Sequence, residues 1–181
     1  IGPFRDGLAL IVEGKRCGYI TPTGSIAIPL EYEATDDVAG WGDFINSLAE
    51  VQSAGKRCLI NTRNERVLPC AFSDIGPATG ALIPVRKKGK WGYSDRKGNA
   101  LFDNRYDQAG EMSGGIARVR QGALFGLIDS TGKEIVPPGF SNLVATDFGF
   151  WLATGTEGTG LLHANGKVAL APVSYTHLRA H

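Results

Sequence analysis

Three cysteines, Cys17, Cys58 and Cys70, are the first side chains to weigh for chemistry. Their number is odd and no two form a C-x-x-C pair, so neither a thiol redox motif nor a zinc ribbon is indicated. Cys17 and Cys58 fall within one residue of one position in the repeat described below, so a disulfide or a shared metal between them is one reading. Two buried thiols acting as small hydrophobes is the favoured reading. Of the three histidines, His163 follows an apolar stretch in a polar turn, and His177 and His181 lie in the last nine residues. A Ser-His-Asp arrangement would have to use His163, which fits an exposed turn residue better than a catalytic base. The run Gly155-Thr156-Glu157-Gly158-Thr159-Gly160 has the glycines of a phosphate loop but lacks the lysine and the following helix. No cofactor and no metal site are expected.

Carboxylates and cations carry more information through their placement. With 18 Asp and Glu in 181 residues, neighbouring acids arise by chance, so the pair Asp36-Asp37 is not by itself a glycosidase dyad. That pair lies in a segment which also holds Trp41, Asp43 and Phe44, and this segment is an insertion relative to its counterparts further along the chain. Insertions between repeats map to loops, often on the binding face. Asp36, Asp37, Trp41, Asp43 and Phe44 are therefore one candidate recognition surface, with a packed but inert loop as the alternative. Lys15-Arg16, Lys56-Arg57 and Arg86-Lys87-Lys88 with Lys90 recur beside hairpin turns. They would form a positive rim including Lys87 and Lys88, or only solvated turns that discourage edge-to-edge strand pairing.

The elements that must position these side chains repeat. Gly24, Asn64, Gly98, Gly132 and Gly166 each close a short polar turn after an apolar stretch, at spacings of 40, 34, 34 and 34. Eight residues beyond the first four of them stand Tyr32, Phe72, Tyr106 and Phe140, and upstream Leu8, Leu48, Leu82 and Ile116 keep the same spacing. Within the fourth unit, Ile116-Ala117-Arg118-Val119-Arg120 alternates as a half-buried strand does, and Leu124–Ile128 returns after a turn. Asp129-Ser130-Thr131-Gly132 fits a type I turn, and Glu134-Ile135-Val136 is a third strand that the following prolines end. No segment sustains the i, i+3, i+4, i+7 spacing of a helix. The expected fold is all-β: about five antiparallel β-meander repeats of ~34 residues in a tandem, open and curved array, with a β-propeller as the alternative. The units run roughly over 4–37, 44–77, 78–111, 112–145 and 146–172 within one domain of residues 1–172.

Gly89-Lys90-Trp91-Gly92-Tyr93-Ser94-Asp95, the strand openings Gly7-Leu8-Ala9 and Gly115-Ile116-Ala117-Arg118-Val119, and the exit Ile28-Pro29-Leu30-Glu31-Tyr32 together resemble the WG-repeat family of bacteria. The resemblance covers roughly residues 4–172, with Cys17-Gly18, Phe125-Gly126 and Thr159-Gly160 in place of Trp-Gly, and Arg57-Cys58 in the second unit. Trp41-Gly42 is out of register. The resemblance implies an all-β repeat protein and transfers no catalytic motif. Trp91 is then expected to plug the junction between two units, burying ~200 Å².

A formal charge of +1 argues against nucleic acid or an anionic membrane surface as the partner, and no apolar run reaches the length of a spanning helix. The chain opens on Ile1 and its only methionine is Met112, which suggests a cut through a longer protein, and residues 173–181 read as a translated sequencing adapter. The functional expectation is a non-catalytic scaffold binding a protein or a cell-envelope polymer. A carboxylate-dependent hydrolase acting on a polymer, or an accessory array beside a catalytic domain, are the alternatives. Localisation cannot be read from these residues.

Overall fold

A computed structural model describes residues 1–35, 42–80, 82–102 and 104–173. All regular structure among them is antiparallel β, in five successive meanders. The first contains β1 (Phe4–Arg5), β2 (Leu8–Glu13), β3 (Arg16–Ile20) and β4 (Ile26–Glu33). The second contains β5 (Leu48–Ser53), β6 (Lys56–Asn61) and β7 (Arg66–Phe72), and is joined to the first through the pairing of Glu33 with Gln52. The third has β8 (Asp74–Ile75), β9 (Leu82–Lys87) and β10 (Lys90–Asp95). The fourth has β11 (Gln108–Ala109), β12 (Ile116–Gln121), β13 (Leu124–Asp129) and β14 (Glu134–Phe140). The fifth has β15 (Asn142–Ala145), β16 (Phe150–Gly155), β17 (Gly158–His163) and β18 (Val168–Val173). No described strand of the last sheet pairs with the first, so the array is open.

The period seen in the sequence is the period of the strands: β5, β9, β12 and β16 begin at residues 48, 82, 116 and 150. In the turn that follows the hairpin of each unit, Gly24, Gly98, Gly132 and Gly166 have φ between +81° and +85°, and Asn64 has φ +63°. Side chains with Cβ resist this region and glycine or asparagine accept it, which is why this column tolerates so few residue types. The residue three positions before caps the same turn. Asp95 Oδ1 accepts from the amides of Lys97 and Asn99, Asp129 Oδ1 from those of Thr131 and Lys133, and Asn61 Oδ1 from those of Arg63 and Glu65.

No unit owns a core. Tyr19, Ile28 and Tyr32 of the first unit pack with Val51, Cys58 and Ile60 of the second. Leu68 and Phe72 of the second pack with Ile75, Ile83 and Val85 of the third, and Tyr93 and Tyr106 of the third with Ala117, Val119 and Ile128 of the fourth. Leu127 and Val136 then meet Leu143, Ala153 and Leu162. A meander of this size cannot bury its apolar face alone, and here each face is covered by the next unit.

Polar bonds cross the same junctions. The Tyr32 hydroxyl donates to Asn64 Oδ1 (2.6 Å), and that of Tyr106 donates to Glu134 Oε1 (3.0 Å). Glu33 Oε2 accepts from the Gly55 amide, and Asp107 Oδ2 from the Gly122 amide, so an acid leaving one unit caps the hairpin tip of the next. The Gly55 amide, with the Gln52 side chain, holds the Glu33 carboxyl below the ordinary carboxylate range. The Lys90 ammonium, then the Gly122 amide, does the same for Asp107. Because both pKa values are lower folded than unfolded, the stability they carry is present in full above about pH 5 and lost as acid protonates the folded groups. Glu33→Gln with Asp107→Asn should flatten the fall in urea midpoint between about pH 5 and pH 2. A titration of midpoint against pH as steep as that of the parent would show that these caps do not matter.

Trp91 departs from expectation. It is only half-buried, packed on the rim of the cluster that holds Tyr93 and Tyr106, both of which are fully buried. The plug is the tyrosine pair, and the indole is left with a free face. Tyr106→Ala should therefore cost ~3–5 kcal/mol, the usual range for truncating a buried aromatic, and Trp91→Ala less than half as much. Urea midpoints of the two variants in the reverse order would overturn this assignment.

Candidate functional site

The cysteines resolve differently from the sequence expectation. Cys58 is bonded to Cys70 across the β6–β7 hairpin, with Cα atoms 4.3 Å apart, and Cys17 is the free thiol. Cys17 does not reach Cys58 because they occupy adjacent columns of different units: Cys17 takes the tryptophan position and Cys58 the glycine position after it. At that glycine position the partner strand bulges inward, and Cys70 is the residue on the bulge. Cys17 is fully buried, and burial pushes its thiol up to about 11, with Arg16 pulling weakly the other way. It is packing material, not a nucleophile.

Of the insertion residues, Asp36, Asp37 and Trp41 lie outside the described residues. Phe44 is 2% exposed and meets the Tyr19 ring edge-on at 4.8 Å between centroids, so it serves the core of the first junction and not a recognition surface. The Tyr19 hydroxyl donates to the Gly42 carbonyl (2.6 Å), pinning the end of the loop. Asp43 is half-buried and borders a cleft of about 390 Å³ with Ile45, Leu48, Glu50, Leu59 and Ile75. Glu50 in that cleft is ion-paired with Arg57. His163 is exposed, its ring tilted against that of Phe150 with 4.9 Å between centroids. Among the described residues no three His, Cys, Asp or Glu side chains converge as a metal site.

Lys87 and Lys88 stand exposed at the β9–β10 tip, where Lys88 has φ +52°. With Lys90 they edge a cleft of about 440 Å³ between the second and third units, floored by Phe72, Phe102 and Pro69. Lys90 is ion-paired with Asp107.

The next junction holds the arrangement that the sequence did not reveal. A cleft of about 300 Å³ between the third and fourth units is lined by Trp91, Gln108, Ala109, Arg118, Arg120 and Phe125. Strand alternation explains the set: on β12, Ala117 and Val119 point into the core, so Arg118 and Arg120 share the opposite face. Phe125 occupies in the fourth unit the column of Trp91 in the third. The Arg118 guanidinium lies over the Phe125 ring, 4.9 Å from its centroid, and donates from Nη1 to the Leu143 carbonyl (2.7 Å). Arg120 is different: its Nε is buried and meets no acceptor of the protein. The i, i+2 pair of arginines one strand upstream of the tryptophan column was the signal available in the sequence.

A family model described as "WG containing repeat" matches three consecutive stretches, residues 59–91, 91–124 and 125–148. The chain belongs to the WG-repeat family. Its matched stretches start partway through a hairpin, offset in phase from the meanders, and begin 32 and 34 residues apart. The solved structure of KlHsv2 with loop 6CD replaced by a Gly-Ser linker is similar over 67% of this chain, at 12% identity and a TM-score of 0.42. This chain spans 46% of that one. No curated protein matches the chain. Among the described residues no helix is long and apolar enough to cross a membrane.

Proposed function

We propose that this protein is a non-catalytic repeat scaffold that binds a protein or a cell-envelope polymer in the clefts between its units. The observation that carries this reading is the placement of the clefts. Clefts open between the second and third units and between the third and fourth, and the joint beside Trp91 brings together the half-buried indole, Arg118 and Arg120, whose buried Nε meets no acceptor of the protein. Exposed aromatic and arginine side chains at a concave surface are the ordinary makings of a binding hot spot. A protein partner is favoured, because that cleft offers few neutral hydroxyl or amide groups to a sugar ring.

A hydrolase using Asp43 and Glu50 is the competing reading, since both line one cleft. The ion pair between Glu50 and Arg57 counts against a general acid there, which needs a raised pKa and not a stabilised anion. The scaffold reading is tested by immobilising the full chain, and a charge-reversed Lys87→Glu/Lys88→Glu/Arg120→Glu variant, against envelope extracts and a glycan array. A partner retained by the parent and lost by the variant is expected. Equal retention by both, or none by either, would overturn it.

A further inference from the structure

We propose that the cleft beside Trp91 receives an acidic segment of a partner protein, with one Asp or Glu carboxylate of that segment seated on the Arg120 guanidinium against the indole. This rests on the scaffold reading and specifies its ligand. Arg120 is half-buried and its Nε, shielded from solvent, meets no acceptor, so a partner would pair with the outer Nη nitrogens of the guanidinium. The acid whose field reaches Arg120 does not supply the acceptor: Asp107 turns Oδ1 to Lys90 Nζ and Oδ2 to the Gly122 amide. Arg118 is also committed, to Phe125 and to the Leu143 carbonyl, so it forms a wall and leaves Arg120 as the free fork.

A carboxylate fits a guanidinium end-on with two parallel N–H···O bonds from the two Nη nitrogens, and no other common group on a protein surface uses both so well. Lys87 and Lys88 stand exposed at the tip of the hairpin that carries Trp91, and their positive potential steers an anionic chain toward that hairpin. A polysaccharide carrying carboxylates is disfavoured by the rest of the lining. Ala109 and Phe125 are apolar and Gln108 is the one neutral polar side chain, so most hydroxyls of a bound sugar would go unpaired.

The probe is a fluorescein-labelled peptide, Gly-Asp-Glu-Phe-Glu-Asp-Gly, titrated with the full chain by fluorescence anisotropy at low salt. Its Asn/Gln isostere and an oligogalacturonate of equal charge are the comparison ligands. The acidic peptide is expected to bind at least ~10-fold more tightly than its isostere, as a charge-assisted fork requires. Arg120→Gln and Arg120→Lys should each weaken it at least ~10-fold, lysine because it keeps the charge and loses the fork. Lys167→Gln, in the turn of the last unit, should change affinity less than about twofold. In the unaltered protein the Trp91 indole N–H resonance, assigned with Trp91→Phe, should shift on titration, which requires no arginine variant to fold. Equal affinity for the isostere, an Arg120→Lys variant that binds like the parent, preference for the oligogalacturonate, or an unmoved Trp91 resonance would each overturn the assignment. If a partner is still retained in the capture experiment, only this inference falls. If nothing is retained, the scaffold reading falls with it.

Discussion

Replacing Gly126 by alanine is expected to cost ~3 kcal/mol, the upper range for forcing one methyl into a filled site. The backbone of Gly126 does not require glycine, since its φ is not positive. The obstacle is the neighbouring strand. A Cβ there would lie 2.5 Å from the Val136 carbonyl oxygen and 2.7 Å from the Pro138 nitrogen, both backbone atoms that cannot rotate away. The same kind of collision recurs in the first and fifth units: at Gly18 the Cβ would meet the Ile28 and Pro29 carbonyl oxygens at 2.5 and 2.6 Å, and at Gly160 the Leu170 oxygen at 2.7 Å.

The cause lies in the strand pairing. Phe125 pairs with Phe140 but Leu127 with Val136, so the exit strand carries extra residues opposite the glycine and bows over it. The first and second units show the same shift, and the fifth a shorter one. Bulges sharpen the local twist and bend the strand, and here the bent end runs on toward the edge of the next sheet. Gly122→Ala is the control, because its Cβ would meet nothing within 4 Å and only the φ of +62° is unfavourable. That change should cost ~1 kcal/mol. Urea or thermal midpoints that rank Gly122→Ala as the more damaging would show that the close approach is not what fixes this column.

This explains how much of the molecule could be read in its residues. The turn column, the aromatic column and the strand openings announce themselves because each satisfies a rule of local chain geometry, positive φ at Gly98 or alternation along Ile116–Arg120. The Cys58–Cys70 bond could not be read that way, because it depends on which residue of the bulge faces the glycine column, a matter of register two residues off regular pairing. Trp91 was misjudged for a related reason. Side chains at 91 and 93 point to the same side of β10, and which of them reaches the centre of the junction is decided by the next unit, not by the strand itself. Arg118 and Arg120 looked like the solvent face of a half-buried strand, which they are. Only the placement of Trp91 and Phe125 around them turns that face into the wall of a cleft.

Reduction of the disulfide should lower stability by ~3 kcal/mol, the loop-closure value for cysteines 12 residues apart. The bond's position makes a sharper expectation available. In the first unit the corresponding pair is Gly18 and Leu30, and in the fourth it is Gly126 and Pro138; in both, the absent Cβ lets the bulge close. The second unit alone places a side chain in that column, and the covalent bond occupies the contact that would otherwise be a clash. Breaking it by Cys58→Ser/Cys70→Ser leaves two side chains and no bond at a close approach, so that variant should match or fall below the reduced parent. Cys58→Gly/Cys70→Leu installs the pairing of the first unit and should recover at least half of the loss with no crosslink. Urea denaturation of the parent with and without dithiothreitol, beside the two double variants, separates the terms. If the Gly/Leu variant is no more stable than the Ser/Ser variant, the bond acts on the unfolded chain alone and the glycine column owes nothing to the bulge above it.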